Sequence, residues 1–258
     1  MIGAIAGDIA GSVYEFTPVA SEDFALFSEE SFFTDDTVLS VVIARWLLDG
    51  NDLTAAMHDA YEAFPGAGWG GMFTDWARTR TRAPYGSYGN GSAMRAAPVG
   101  WAFESLDEVL DGARRSAEVT HDHPEGIKGA QATAAAIFIA RTGGTAADVQ
   151  EFVSGPAIGY DLDRKLSDVR AVHGFDETCQ GSVPEAILCA LQADDFEGAL
   201  RNAISLGGDA DTQACIAGGI SEALHGLPHW IRDLSLSRLP PDMREVVRRF
   251  TATFPTTG

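Results

Sequence analysis

Two short segments of this sequence combine aspartates and threonines directly before an apolar run, a pattern suited to binding a metal ion. Their members are Thr34, Asp35, Asp36 and Thr37 in the first segment, and Asp209, Asp211 and Thr212 in the second. Carboxylate and hydroxyl oxygens are the ligands that hard cations such as Mg²⁺ prefer. Because a helix is predicted to begin at each segment, the two helix starts together would hold one or two divalent ions.

Helix capping is the alternative explanation for either segment alone. Threonine and aspartate are common N-cap residues, and acids in the first turn interact favourably with the helix dipole. Two acids at both helix starts are less easily explained in this way, because neighbouring carboxylates repel one another. A divalent ion would offset that repulsion, so the pair of segments favours a metal site.

Two loop segments carry a second set of candidate residues. The stretch 85–95 is rich in glycine and runs into a helix, so its unpaired amides could hold phosphate oxygens. The alternative is an ordinary helix start with Ser92 as its cap. The stretch 120–126 contains His121, Asp122 and His123 ahead of another helix, and two histidines beside an acid are more suggestive than one.

Asp8 and Glu15 are acids in an otherwise apolar, glycine-rich stretch near the start of the sequence. If the stretch is helical, their spacing of seven places them on one face, where an acid is costly to bury without a partner. Glu15 either lies in solvent at a helix end, or lies beside the metal site as a further ligand or an acid–base group.

Apolar periodicity predicts a protein built from helices, with strand signals nearly absent. The connecting stretches 65–71, 82–91 and 155–181 are rich in glycine, proline and polar residues and are predicted as loops. We therefore expect an all-α fold, a single compact multi-helix domain spanning 1–258, with functional groups on loops and helix starts. Helices are predicted at 38–48, 53–64, 106–118, 124–141, 146–154, 184–193, 195–205, 212–225 and 241–253.

The composition limits the classes of function. A chain of 258 residues with 45% hydrophobic and 21% charged residues can bury a large core, so disorder is not expected. With 18 basic and 37 acidic residues the net charge is −19, which disfavours nucleic-acid binding as a bulk property. A nucleotide-like small ligand remains compatible, since amides and a metal can hold a diphosphate. The charge is also compatible with a monomer.

Cysteine usage and the first residues bear on the compartment. The three cysteines form no CxxC pair, which is typical of a reduced, cytoplasmic protein. The apolar stretch 1–6 lacks a basic segment before it, and Asp8 interrupts it, so neither a signal peptide nor a membrane span is predicted. We expect the mature chain to start at Met1.

Taken in order, these motifs resemble the ADP-ribosylglycohydrolase family from Ile2 to about Gly226. The matching residues are Gly7-Asp8 followed by Glu15; Phe33-Thr34-Asp35-Asp36-Thr37; Gly89-Asn90-Gly91-Ser92-Ala93-Met94-Arg95; Thr120-His121-Asp122-His123-Pro124; Gly181-Ser182-Val183-Pro184-Glu185-Ala186; and Ser205-Leu206-Gly207-Gly208-Asp209-Ala210-Asp211-Thr212.

The resemblance implies an all-α fold with a dinuclear Mg²⁺ centre in a cleft, with Mn²⁺ as an alternative ion. The implied metal ligands are Thr34, Asp35, Asp36, Asp209, Asp211 and Thr212. Glu15 matches the family glutamate near the metals, and it would act in catalysis together with Asp35 and Asp36. The implied substrate-binding residues are Gly89, Asn90, Gly91, Ser92, Ala93, His121 and His123.

The implied activity is hydrolysis of the bond at the anomeric carbon of ADP-ribose, through an oxocarbenium-like state, with release of ADP-ribose. The leaving group stays open among arginine, serine, an O-acetyl group, a nucleobase and the nicotinamide of α-linked NAD. Hard oxygen ligands suit Mg²⁺ or Mn²⁺, whereas neither acidic segment offers a cysteine or histidine to zinc.

Rival interpretations use different residues. A metal phosphohydrolase of the HD type would use His121 and Asp122, but it leaves the first acidic segment without a role. An isoprenoid-diphosphate enzyme needs an acid where Leu39 stands, so it is excluded. A non-catalytic ADP-ribose-binding or structural member of the same fold is the remaining alternative, although every metal-site position is present.

Overall fold

The computed structural model describes residues 1–19 and 21–255. Every secondary-structure element longer than a single bridge among these residues is a helix. An isolated β-bridge between Gly89 and Thr178 is the only strand-like pairing in these residues. The helices are α1 (Ile2–Gly11), α2 (Asp35–Asp49), α3 (Leu53–Ala63), α4 (Gly71–Arg78), α5 (Gly91–Met94), α6 (Ala97–Ala102), α7 (Leu106–Glu118), α8 (Pro124–Arg141), α9 (Ala146–Ser154), α10 (Leu166–Arg170), α11 (Cys179–Leu191), α12 (Phe196–Ser205), α13 (Ala210–His225), α14 (His229–Ser237) and α15 (Pro241–Thr253).

The prediction of an all-α fold is confirmed, and each of the nine predicted helices is present. The largest shift is in α11, which begins at Cys179 rather than at 184. The Thr178 side chain accepts a hydrogen bond from the Gly181 amide and starts the helix early. Pro184 then lies inside the helix, where it leaves a carbonyl one turn back without its amide donor.

Several short helices were not predicted. Helix α10 lies within the predicted loop 155–181, α4 begins at the last residue of the predicted loop 65–71, and α6 and α14 lie between predicted helices. In α4, Phe73, Trp76 and Ala77 face the core at helical spacing. Tertiary burial therefore stabilises a helix of only eight residues that sequence propensity alone does not specify.

Helix α13 lies at the centre of the fold. Its residues from Ala210 to Glu222 are buried, and α1, α8, α11 and α12 pack around it. Helix α1 is buried along its whole length. Burial on every side explains why both helices are apolar nearly all round, and it makes any acid on them a candidate for function.

Three glycines of α1 allow its backbone to touch the backbone of α13. A Cβ added at Gly3 would lie 2.3 Å from the Gly218 carbonyl oxygen, and one at Gly7 would lie 1.9 Å from the Ala214 carbonyl oxygen. Gly11 repeats this contact one turn further along. No side chain fits at these positions, so the glycine seam fixes how close the two helices come.

Among the described residues, no helix combines the length and the apolar character needed to cross a membrane.

Candidate active site

The first acidic segment forms the start of α2, as predicted. The Thr34 hydroxyl accepts a hydrogen bond from the Asp36 amide, so Thr34 caps this helix. The helix begins at Asp35, three residues before the predicted start, because the two aspartates already have helical geometry. Capping thus explains part of this segment, although the cap leaves the carboxylates of Asp35 and Asp36 for other partners.

Asp8 of α1 lies in front of this helix start and is fully buried. Its carboxylate accepts hydrogen bonds from the Thr34 amide at 3.0 Å, the Thr37 amide at 3.2 Å and the Thr34 hydroxyl at 2.7 Å. A carboxylate at a helix N-terminus interacts favourably with the unpaired amides and the dipole. Asp8 therefore joins α1 to α2 at the base of the site.

The second acidic segment begins α13 and behaves differently. Asp209 occupies the N-cap position, yet its side chain makes no capping hydrogen bond. It accepts instead from the Asn90 side-chain amide at 2.7 Å. The Thr212 hydroxyl donates to Asp36 of the first acidic segment at 3.3 Å. The capping alternative is therefore wrong for Asp209, and Thr212 connects the two acidic segments.

Five carboxylates converge in two adjoining groups. Oxygens of Asp8, Asp36 and Asp211 lie within 4.8 Å of one another, and so do oxygens of Glu15, Asp209 and Asp211. Asp211 belongs to both groups, so the two are contiguous. Each group has the size and the oxygen donors that a hard divalent cation requires. Because the groups share a carboxylate, the arrangement fits two neighbouring cations.

One buried oxygen supports this fit. Asp36 Oδ1 is excluded from solvent and has no hydrogen-bond partner among the described residues, although Oδ2 of the same carboxylate is bonded. A buried carboxylate oxygen without a partner is costly, and a cation would satisfy it.

The electrostatics of the site also favour a cation. Burial, followed by repulsion from Asp8 and Asp209, raises the pKa of Asp35 to about 8. Burial is also the main cause that raises the pKa values of Asp36 and Asp211 well above the ordinary range, and neighbouring aspartates add to it. Carboxylates that repel one another in a buried site are stabilised in their charged forms by a bound divalent ion.

Glu15 reaches the same site from a turn. Helix α1 ends at Gly11, so Asp8 and Glu15 do not share a helical face as the sequence suggested. Glu15 still groups with Asp209 and Asp211. Burial, with repulsion from Asp209, Glu177 and Asp8, raises its pKa to about 7. A group that titrates near neutral pH is suited to proton transfer.

The glycine-rich loop borders Asp209, but its groups are largely occupied within the protein. The Gly89 amide donates to the Ser87 hydroxyl, and the Asn90 amide donates to the Glu177 carbonyl. Both amides are therefore paired, in contrast to the prediction of unpaired amides. The amide of the Asn90 side chain positions Asp209. A role in substrate binding stays a prediction for the rest of this loop.

Ser92 and Ala93 are buried in the short helix that follows the loop. The Ser92 hydroxyl donates to the Gly126 carbonyl at 2.6 Å, and Asn90 occupies the N-cap position of α5. The alternative in which Ser92 caps the helix is therefore wrong. The two residues join α5 to α8 and support the loop from behind.

The two histidines lie in different settings. His121 is buried, and its Nδ1 lies 2.7 Å from the Thr120 hydroxyl. His123 is exposed, accepts a hydrogen bond from the Glu125 amide as the N-cap of α8, and contacts the ring of Tyr88. His121 lies against the glycine loop, whereas the ring nitrogen of His123 that accepts this bond is committed to starting a helix.

The structure does not support the HD-type arrangement. Asp122 accepts a hydrogen bond from the Gly86 amide, and His121 is bonded to Thr120. Within the described part of the chain, neither residue belongs to a group of side chains that could hold a metal ion.

Asp8 is a site residue that was not predicted from the sequence. The signal that identifies it was present, because an acid in the middle of an apolar, glycine-rich helix must be buried with a partner. The partner, the start of α2, follows 26 residues later and could not be inferred from spacing.

The described residues thus form a helical domain in which acids from two helix starts and from α1 gather in one site that could hold a metal ion. The family model described as ADP-ribosylglycohydrolase matches residues 1–257. The chain therefore belongs to the ADP-ribosylglycohydrolase family, and the prediction of a glycohydrolase is confirmed at the level of this family.

Curated relatives agree with the family. ADP-ribosylhydrolase ARH3 of Mus musculus is 27% identical, over 88% of this chain and 83% of that protein. ADP-ribosylarginine hydrolase Tri1 of Pseudomonas putida (strain GB-1) is 25% identical, over 92% of this chain and 74% of that protein. A solved structure, titled as an ADP-ribosylglycohydrolase-related protein complex, superposes with a TM-score of 0.73 at 24% identity. It covers 98% of this chain and 96% of that one, and supports the fold.

Proposed function

We propose that this protein is a Mg²⁺-dependent hydrolase that cleaves the glycosidic bond at the anomeric carbon of ADP-ribose in an ADP-ribosylated substrate. The observation that carries the proposal is the pair of carboxylate groups that share Asp211, with Asp36 Oδ1 buried and unpartnered beside them. Membership of the family and the names of the relatives support the substrate class.

Each residue has a defined task in this proposal. Asp8, Asp36 and Asp211 would hold one cation, and Asp209 and Asp211 would hold the second, with the Glu15 carboxylate beside it. The ligand set is completed by Asp35 and by the hydroxyls of Thr34 and Thr212. When bound, two Mg²⁺ ions, or Mn²⁺ in their place, supply the positive charge that orients ribose hydroxyls and acidifies a water molecule.

Glu15 is the proton-transfer group of the proposal. Its pKa of about 7 in the metal-free protein allows it to take a proton from water or to give one to the leaving group. Nearby cations lower this pKa, because they stabilise the carboxylate form. Glu15 is therefore a base in the loaded site, and it becomes the acid after it has accepted a proton.

The leaving group is open to a direct test. Tri1 is named for ADP-ribosylarginine, and we propose arginine as the first conjugate to test, followed by serine, O-acetyl, nucleobase and nicotinamide conjugates. The assay measures release of free ADP-ribose from each conjugate with and without Mg²⁺. Turnover of one conjugate only with Mg²⁺ supports the proposal, whereas binding of ADP-ribose without turnover of any conjugate supports a non-catalytic member of the fold.

Two variants test the metal centre in the same assay. Asp35→Ala and Asp211→Ala should each abolish Mg²⁺-dependent hydrolysis while the helical circular dichroism spectrum is unchanged. Asp107→Ala is the matched control, since Asp107 is also a first-turn acid but lies exposed at the start of α7. Full activity in Asp35→Ala or Asp211→Ala rejects the proposed centre.

We also propose that the protein acts as a cytoplasmic monomer. Cys179, Cys189 and Cys215 are all free thiols, and the net charge of −19 opposes self-association. Light scattering at millimolar Mg²⁺ tests the monomer, and a dimer mass contradicts it.

A further inference from the structure

Arg95 is a fully buried arginine that no carboxylate pairs with among the described residues. Its Nη2 donates to the Ser116 carbonyl at 3.0 Å and to the Thr120 hydroxyl at 2.8 Å. Its Nε and Nη1 have no partner in the described part of the chain. Burying a guanidinium without a paired carboxylate is costly. The presence of Arg95 at this position therefore indicates a role for its hydrogen bonds.

The Thr120 hydroxyl lies between Arg95 and His121. A guanidinium only donates hydrogen bonds, so the Thr120 oxygen is the acceptor in its bond with Arg95. The same hydroxyl lies 2.7 Å from His121 Nδ1. Because Arg95 already fills one lone pair of the Thr120 oxygen, we infer that the hydroxyl proton makes the bond to His121, with Nδ1 as the acceptor.

His121 is neutral in this setting. Burial lowers its pKa well below the ordinary range, and the charge of Arg95 lowers it further. A neutral imidazole carries one proton, and Nδ1 accepts from Thr120, so the proton resides on Nε2. The relay from Arg95 through Thr120 therefore selects one of the two neutral tautomers.

The Nε2 atom lies against the glycine-rich loop. A Cβ added at Gly91 would lie 3.4 Å from Nε2, and one at Gly89 would lie 3.8 Å from it. Gly126 packs closely against the same residue, since a Cβ added at Gly126 would lie 2.9 Å from the His121 Cβ. None of the described residues accepts a hydrogen bond from Nε2.

We propose that Arg95 and Thr120 are positioning residues that lock His121 as its Nε2–H tautomer and so present a hydrogen-bond donor to an anionic oxygen of the substrate at the glycine loop. This inference rests on the proposed function, because it takes the diphosphate of ADP-ribose as the group that supplies the oxygen. A neutral donor of fixed direction suits a site already crowded with carboxylates, since it needs no proton from solvent.

The first experiment reads the tautomer without any ligand or metal. The ¹⁵N shifts of the His121 ring distinguish a protonated from an unprotonated nitrogen, and a His121→Asn spectrum assigns its signals among the six histidines. We expect an Nε2–H tautomer in the wild-type protein. In Thr120→Val, which removes the hydroxyl at nearly constant volume, the Nδ1–H form should become populated. A wild-type ring protonated on Nδ1, or on both nitrogens at pH 7, overturns the relay.

The second experiment measures ADP-ribose affinity by calorimetry at saturating Mg²⁺. Thr120→Val should raise the Kd about tenfold, the scale of one lost hydrogen bond. Thr120→Ser should restore both the tautomer and the affinity, because serine keeps the hydroxyl. The matched control is Thr133→Val on α8, where the buried hydroxyl has no partner among the described residues and its removal should change neither readout.

The outcomes separate this inference from the proposed function. If wild-type protein fails to bind ADP-ribose, both the proposed function and the contact between His121 and the substrate are rejected. The ¹⁵N shifts of the ring still test whether Arg95 and Thr120 set the tautomer of His121. If ADP-ribose binds and Thr120→Val leaves both the tautomer and the Kd unchanged, the positioning role is rejected and the proposed function stands.

Discussion

Asp8 lies at the base of the carboxylate site although its sequence surroundings are those of a core helix. Its three hydrogen-bond donors are the Thr34 amide, the Thr34 hydroxyl and the Thr37 amide, at the start of α2. The acidic segments themselves could be identified from residue type and spacing. The partner of Asp8 could not, because the residues that meet it depend on how α1 and α2 cross.

Asp8→Asn should weaken Mg²⁺ binding about 10- to 100-fold, the scale typical of residues that hold or orient metal ligands. The amide keeps the size of the side chain but carries no charge, and its NH₂ group faces donors from Thr34. Calorimetry of Mg²⁺ binding checks this expectation. Asp242→Asn, in the first turn of α15, is the control and should bind Mg²⁺ as the wild type does.

Glu15→Gln tests proton transfer separately from metal binding. If Glu15 moves a proton, kcat should drop about 100-fold or more, while Mg²⁺ and ADP-ribose binding persist. If it acts mainly as a ligand, Mg²⁺ affinity should fall as well. Turnover close to wild type would remove Glu15 from the mechanism.

Glu177→Gln provides the matched control for Glu15. Its charge helps to raise the pKa of Glu15, so removing it should lower that pKa. We expect kcat to stay near the wild-type value and the limb of the pH profile that depends on Glu15 to move to lower pH. A profile that does not move would show that Glu177 does not act on Glu15 through charge.

At the scale of elements, the helices with a clear start signal were predictable and most of the short ones were not. Helices α7, α8, α9 and α15 have the predicted bounds because a capping side chain or a proline in the first turn marks the start of each. Helix α5 and the loop before it are fixed by distant contacts, such as the bridge between Gly89 and Thr178. Contacts of this kind leave no local signature in the sequence, so the internal bonding of the glycine loop was not foreseen.

Gly7→Ala tests the glycine seam. The added methyl group meets the Ala214 carbonyl, so α1 and α13 must separate, and overpacking of this kind typically costs about 1–3 kcal/mol. Mg²⁺ affinity should fall with stability, because Asp8 and Asp211 lie on the two separating helices. Urea unfolding and Mg²⁺ calorimetry measure the two effects.

Gly70→Ala is the control for the seam variant. Gly70 has an ordinary negative φ of −59°, and an added Cβ meets nothing within 4 Å. It should leave unfolding and Mg²⁺ binding within experimental error of the wild type. Equal stability of Gly7→Ala and Gly70→Ala would contradict the argument that the seam permits no side chain.

For the whole molecule, the crowded carboxylates make stability depend on pH and on metal together. The folded-state pKa values of Asp8, Glu15 and Asp35 rise to about 6, 7 and 8. An acid whose pKa is raised on folding stabilises the fold below its unfolded pKa, and that contribution is lost as pH rises through the folded value. The metal-free protein should therefore lose stability between about pH 4 and pH 8.

Mg²⁺ should cancel this loss. A cation that binds only the folded state stabilises it by mass action, and it does so most where the carboxylates are charged. We expect the rise in Tm on adding saturating Mg²⁺ to be larger at pH 8 than at pH 5. Thermal unfolding at both pH values, with and without Mg²⁺, measures it. An equal rise at both pH values would show that the charged carboxylates are not the binding groups.

The glycine seam also has a consequence for synthesis on the ribosome. The site joins residues 176 positions apart, as in the bond between Thr212 and Asp36. At about 5–20 residues per second, the partner of α1 follows its own translation by about 10–40 seconds. Throughout that interval α13 is not available to cover the apolar surface of α1. The carboxylates of the second acidic segment have also not yet joined Asp8. Metal loading must therefore follow translation of α13, and nascent chains stalled before it should carry no tightly bound Mg²⁺.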